Sequence, residues 1–194
     1  MIGEFPKQLN LKLEKNLEQK VIKQGVAELF ESNPELANIG TQQQYSAYLD
    51  TIFPDSKIKD IVYHGSRDGA IEKFRNSHFG TYFSYSPIKS TAFGNFTYKV
   101  IVNAKNPLIL PKVDATTEEK EIYDKERRDF YNTNLFSIDE APLYKYDSAI
   151  ESSSTTNEGV QIKIRTPEQI HILGSKDDVI KFKEFVSSKE DQIK

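Results

Sequence analysis

The sequence predicts an α+β protein in which a strand-rich core follows a helical N-terminal extension. Three observations predict it. Short runs of apolar, β-branched and aromatic residues recur between residues 60 and 173, as strands do. Apolar residues at helical spacing mark the two ends of the chain, at 9–30 and 179–186. Between these stretches, Ser, Thr, Pro and Gly stand where helices are capped and strands turn. On this reading residues 1–55 form the helical extension and 56–190 the main domain, with strands and helices interspersed. A chain of 194 residues is long enough for one such domain and a small appendage.

Each element has a local reason. Leu9, Leu11, Leu13, Leu17, Val21, Ile22, Val26, Leu29 and Phe30 form an imperfect helical stripe. Thr41 and Gln44 have capping-box spacing and open a short helix through Tyr45, Tyr48, Leu49 and Ile52, which Phe53, Pro54 and Asp55 end. Residues 60–64 read as a buried strand stopping at Gly65, and 80–84 as a second. Ser86 and Pro87 supply a cap and a first-turn proline, and Gly94 can close that helix. Strands are expected at 97–103 and, more weakly, at 108–110. A charged helix follows over 116–130, with acids in its first turn. Strands at 146–150, 160–165 and 169–173 come next, the polar stretch 152–157 between them reading as a loop. Ser175 caps a closing helix that carries Val179, Ile180, Phe182, Phe185 and Val186.

Composition removes several function classes. Charged residues make up 28% at a formal net charge of −3, which lacks the basic excess of a protein held by phosphate contacts. Absence of cysteine excludes disulfides, thiolate chemistry and Cys-based zinc sites. His64, His78 and His171 are too few and too scattered to suggest a metal centre. Neither a signal-peptide pattern nor an apolar run of membrane-spanning length is present. The expectation is a monomer without membrane contact, cytoplasmic or delivered into a target cell by a route needing no classical signal.

No short motif decides the function alone. A histidine beside a turn, as at His64, is most often a satisfied strand-end residue. A Gly-Thr-Tyr-Phe run, as at 80–83, suits an ordinary core strand. His78 could line a cleft but fits a solvated loop better, His171 fits an apolar strand, and Arg67 suits equally a surface position or a contact to a pyrophosphate or an acceptor. Tyr85 could face an acceptor, the run 118–128 is a solvated helix face, and Glu168 with Gln169 reads as a turn.

Taken jointly, these pieces change the reading. His64-Gly65-Ser66-Arg67, then Phe79-Gly80-Thr81-Tyr82-Phe83, then Lys89-Ser90-Thr91-Ala92-Phe93 resemble the NAD-binding core of the diphtheria-toxin-like and poly(ADP-ribose)-polymerase-like ADP-ribosyltransferases. The spacing from Tyr82 to Ser90 and Phe93 matches the polymerase-like pattern without a gap. Gln161-Ile162-Lys163-Ile164-Arg165, followed by Pro167-Glu168-Gln169-Ile170, resembles the strand that usually opens with the transferase glutamate. The likeness spans about residues 57–186 and is strongest to small bacterial and phage transferase-like domains.

The resemblance implies a split antiparallel sheet and NAD⁺ as substrate, with no metal. NAD⁺ breaks at the nicotinamide–ribose bond through an oxocarbenium-like state. The family pattern assigns the Gly65 backbone to the nicotinamide carboxamide, with a further hydrogen bond from Ser90. Tyr82 and Phe93 would sandwich the ring. His64 would bond the adenosine-side ribose, with Ser66 helping to orient it. The third catalytic position, Glu, Asp or Gln in the clan, falls on Gln161, with Glu158 as competitor and Glu151 also near. Gln161 can hydrogen-bond the nicotinamide ribose but cannot offset positive charge. Three outcomes stay open: a Gln-type mono-ADP-ribosyltransferase, which is preferred; an enzyme using Glu158 or Glu151; and a slow or non-catalytic NAD⁺- or ADP-ribose-binding module. The acceptor is expected to be a macromolecule, protein rather than nucleic acid. Chain elongation to poly(ADP-ribose) is not expected. Outside the clan's chemistry, the alternative is a structural or packaging domain of phage origin.

Overall fold

The computed structural model describes residues 21–69, 71–76, 80–109, 115–133, 145–152 and 160–191, with backbone alone at 130–133, 151, 152, 160, 190 and 191. Within these, the chain divides into two compact units: Met1–Pro54 with Leu173–Lys194, and Asp55–Ile172. The expected division at 55/56 left the closing helix with the strands; by its contacts it groups with the N-terminal segment.

The first unit holds α1 (Val26–Ser32), a 3₁₀ turn (Pro34–Asn38), α2 (Gln42–Ile52) and, from the far end of the chain, α5 (Lys176–Asp191). The described part of the expected 9–30 stripe is helical only from Val26, after Gly25 in the left-handed region; Leu9 to Leu17 lie outside the described residues. The capping box of α2 is formed: Gln44 N–H donates to Thr41 Oγ1 at 3.2 Å, and Thr41 N–H to Gln44 Oε1 at 2.8 Å. Asp178 N–H donates to Ser175 Oγ at 3.2 Å and caps α5 as the sequence suggests. Apolar faces explain the pairing of α2 with α5. Tyr45, Tyr48 and Phe182 pack ring against ring, with Tyr45 and Phe182 edge-on at 4.9 Å.

The second unit is one seven-stranded sheet in the order β4-β5-β6-β2-β1-β3-β7. Its strands are β1 (Val62–Ser66), β2 (Thr81–Ser84), β3 (Phe96–Val102), β4 (Pro107–Ile109), β5 (Ser148–Ser152), β6 (Val160–Ile164) and β7 (Ile170–Ile172). Two helices interrupt them, α3 (Pro87–Ser90), running into a 3₁₀ turn (Thr91–Phe93), and α4 (Thr117–Thr133). The α+β class therefore holds. All pairs are antiparallel except β4 with β5. That parallel pair departs from the expected antiparallel sheet because α4 joins the two strands, and parallel neighbours need such a crossover. Tyr123 of α4 is buried with Leu108 and Ala149.

Beneath the sheet lies a core of Val62, Phe74, Phe83, Val100, Ile162 and Ile164. Most strands fall within two residues of their expected places. The informative shift is β1. It does not stop at Gly65 but runs on through it to Ser66, because Gly65 and Ser66 still pair with Thr97 and Phe96 of β3.

Candidate active site

Three of the resembling segments meet around β1. This strand keeps five consecutive register pairs with β3, Val62↔Val100 through Ser66↔Phe96. With β2 it keeps only Tyr63↔Ser84. Continuing that register would set Gly65 opposite Tyr82, and no such pair forms. The sheet opens between these two residues. At the opening the His64 imidazole replaces the ladder: Nδ1 lies 2.8 Å from the Tyr82 carbonyl oxygen. A carbonyl only accepts, so Nδ1 carries the proton and donates. Nε2 is then the acceptor of the neutral ring.

Strand alternation sorts the side chains onto two faces. His64 shares a face with the core; its ring meets Phe74 edge-on at 5.0 Å and Phe83 at 5.6 Å. Tyr82 lies on the other face with Ser84, and the register Tyr82↔Lys163 and Ser84↔Gln161 places Gln161 and Lys163 there too. Gly65 turns its bare Cα to that same face. A Cβ built on it would lie 1.7 Å from the Ser90 carbonyl oxygen and 3.2 Å from Phe93 Cβ. Gly94 makes the reciprocal approach, its virtual Cβ 2.0 Å from the Ser66 carbonyl oxygen. Glycine at both points lets the α3 segment lie directly on β1. The local turn chemistry differs from expectation at one point. Ser86 caps α3 with no side-chain hydrogen bond; instead its carbonyl oxygen accepts from Ser90 Oγ at 3.3 Å.

Gly65, Tyr82, Ser90, Phe93 and Gln161 thus share one face of the sheet, while the His64 side chain is on the other. Ser90 is buried, Gln161 half-buried, Tyr82 38% exposed and Phe93 63% exposed. Phe93 also lines a pocket of about 520 Å³ with Arg67, Thr91, Ala92, Gly94 and Asn95. Arg67 therefore stands beside the candidate site rather than on an unrelated surface. Ser66 is turned to its own loop, where its Oγ accepts from Asp68 N–H at 3.0 Å. Tyr98 pins the same loop, donating to the Asp68 carbonyl at 2.7 Å and accepting from Ile71 N–H at 3.0 Å. Burial and the Asp60 carboxylate hold the Tyr85 phenol above its ordinary pKa.

Of the alternative carboxylates, Glu158 lies outside the described residues, as does His78. Glu151 is the register partner of Gln161 on β5. His171 is buried on β7, opposite Ile101. Glu168 and Gln169 do form a turn, with a second capping box to Thr166. Motif spacing does not single out Lys163. It is 1% exposed, and its ammonium lies 5.7 Å from the Tyr82 ring centroid. The signal was its position two residues after Gln161, in phase with it along the strand. With Tyr82 partly exposed, a cation–π pair of this kind contributes about 0.5–1 kcal/mol.

Among the described residues, no cluster of three or more His, Asp or Glu could hold a metal, and no helix is long and apolar enough to cross a membrane. No protein-family model matches the chain, and comparison with curated proteins finds no match. Among solved structures, an anti-CRISPR protein is similar at a TM-score of 0.33 and 13% identity, over 58% of this chain and 93% of that one.

Proposed function

We propose that the chain is a mono-ADP-ribosyltransferase that cleaves NAD⁺ and passes ADP-ribose to a macromolecular acceptor, protein in preference to nucleic acid. One observation carries the reading. The sheet opens between Gly65 and Tyr82, and the α3 segment with Ser90 and Phe93 is laid over that opening by two glycine contacts. Residues far apart in sequence, singled out for one ligand, come together on one face. In this proposal the sheet is the transferase-like split sheet, with the β1/β2 seam as its split.

The chemistry follows from the groups present. The Gly65 peptide and Ser90 hydroxyl hold the carboxamide, and Tyr82 and Phe93 flank the ring. His64 Nδ1 is engaged by the Tyr82 carbonyl, which leaves Nε2 to accept from a ribose hydroxyl. Ser66 and Arg67 stand on the adenosine side. Breaking the N1–C1′ bond sends the electron pair to nicotinamide, which leaves neutral. An acceptor nucleophile then bonds to C1′ and releases its proton to solvent. Gln161 hydrogen-bonds the ribose without charge compensation, and one missing electrostatic group typically costs about 10²–10³ in rate. Turnover is accordingly expected to be slow.

A second reading is an NAD⁺- or ADP-ribose-binding module without transfer. Its specific support is that β6 presents a neutral Gln161 and a buried Lys163 on one face, opposite Ser84 and Tyr82. Adenine-labelled NAD⁺ incubated with the protein and cell extract separates the two. Transferase activity labels a macromolecule and releases nicotinamide, and His64→Ala abolishes both. Equal labelling by wild type and His64→Ala overturns the proposal. Binding of NAD⁺ without nicotinamide release selects the second reading, and Gln161→Glu should then raise turnover.

A further inference from the structure

The chain leaving β1 is held from two sides, and Arg67 stands between the two holds. On one side is Gly94, where a built Cβ would meet the Ser66 carbonyl oxygen at 2.0 Å and the Arg67 backbone nitrogen at 2.5 Å. On the other is Tyr98, the register partner of His64 on β3. Its hydroxyl donates to the Asp68 carbonyl at 2.7 Å and accepts from Ile71 N–H at 3.0 Å. The Tyr98 ring meets the buried Phe74 edge-on, 6.3 Å between centroids, so the hydroxyl is itself held in place. Arg67 lines the pocket with Thr91, Phe93 and Asn95, a cation among a hydroxyl, a ring and an amide, and no carboxylate stands in that wall. Such a lining suits an oxyanion, which a guanidinium takes with two parallel N–H bonds.

We infer that Tyr98 is a positioning residue: by pinning this loop it holds Arg67 at the pocket for the diphosphate of the ligand's ADP half. The inference rests on the transferase reading, in which that half lies on the side of Ser66 and Arg67. Tyr98 touches no ligand and acts through Arg67. Arg67 is exposed and its side chain is long, so binding must order it. A backbone fixed beforehand lowers that cost, because only the side chain is left to settle. Losing the Tyr98 hydroxyl leaves the ring against Phe74 but frees the Asp68 carbonyl and the Ile71 N–H. The effect then falls on the anionic half of the ligand and spares the nicotinamide.

Calorimetry with ADP-ribose and with nicotinamide tests this on the wild type, Tyr98→Phe, Arg67→Ala and the double variant. Tyr98→Phe should weaken ADP-ribose binding about fivefold and leave nicotinamide within about twofold of wild type. In the Arg67→Ala background the same change should cost less than about twofold, since the side chain it serves is gone. Wild-type affinity for ADP-ribose in Tyr98→Phe overturns the inference, as does a fivefold loss that persists without Arg67. Equal weakening of both ligands also overturns it, because a general loosening of the fold predicts that pattern. Should Tyr98→Phe not fold, amide spectra of the wild type decide: the Asp68 and Ile71 N–H signals must move on saturation with ADP-ribose, and unmoved signals refute the role. A wild type that binds nicotinamide but not ADP-ribose sinks the inference alone. One that binds neither takes the transferase reading down as well.

Discussion

Two aromatic clusters in this protein use the same residue types and end differently. In the first unit Tyr45, Tyr48 and Phe182 are buried ring on ring, and both phenols donate to Asp178, Tyr48 at 3.1 Å. Asp178 Oδ2 accepts from Gly174 N–H as well, at 2.8 Å. In the second unit Tyr82 and Phe93 stay exposed beside an opening in the sheet. A closed cluster with answered hydroxyls contributes stability. An open one forgoes that burial, and under the proposed function its two rings flank the nicotinamide. The difference separates aromatics whose burial holds the first unit together from aromatics whose burial contributes little to the second.

The sharpest way to break the comparison is at Gly65. In Gly65→Ala the new methyl meets the Ser90 carbonyl oxygen at 1.7 Å, a backbone atom that cannot swing away as a flexible side chain would. The expected cost is about 3 kcal/mol or more in chemical denaturation, with loss of NAD⁺ binding. A stable Gly65→Ala protein that still binds NAD⁺ would show that the close approach does not shape the site.

Asp178→Ala tests the closed cluster. It leaves two phenols and a backbone N–H without their carboxylate, at about 3 kcal/mol in all, while NAD⁺ binding below the transition stays unchanged. The same cluster has a pH signature. Burial first, then the Asp178 charge, hold the Tyr45 and Tyr48 phenols far above their ordinary value of 10.0. A folded pKa raised above the unfolded one gives stability that is complete below the unfolded value and lost as pH rises past it. Stability from this source should be level up to about pH 10 and then fall. Tyr45→Phe with Tyr48→Phe should flatten the alkaline limb.

Phe93→Ala should have the smallest effect on stability, within about 0.5 kcal/mol, because the ring is mostly exposed. Its effect on NAD⁺ should be larger, about tenfold in dissociation constant by titration calorimetry. A destabilised Phe93→Ala with unchanged binding would place this ring in the first class of aromatic.

Local features were legible in advance. The Thr41–Gln44 capping box, the Ser175 cap and the strands near 62, 81, 97 and 160 all follow from a few neighbouring residues. Within the candidate site, the motif spacing singled out Gly65, Tyr82, Ser90, Phe93 and Gln161. It did not reveal that His64 would point to the opposite face and bond the Tyr82 carbonyl, since that depends on where β2 leaves β1. Nor did it reveal Lys163. A lysine in an apolar strand reads as an exposed position, and only the pairing of β6 with β2 buries it.

What the sequence determined by itself is the set of elements and the residue types available to the site, because caps, turns and alternation are short-range and act within a few residues. The tertiary structure alone decided that α5 closes on α2, that β4 and β5 run parallel, and that the sheet opens between Gly65 and Tyr82. Those outcomes depend on which distant surfaces meet, and on backbone approaches that only a missing Cβ permits.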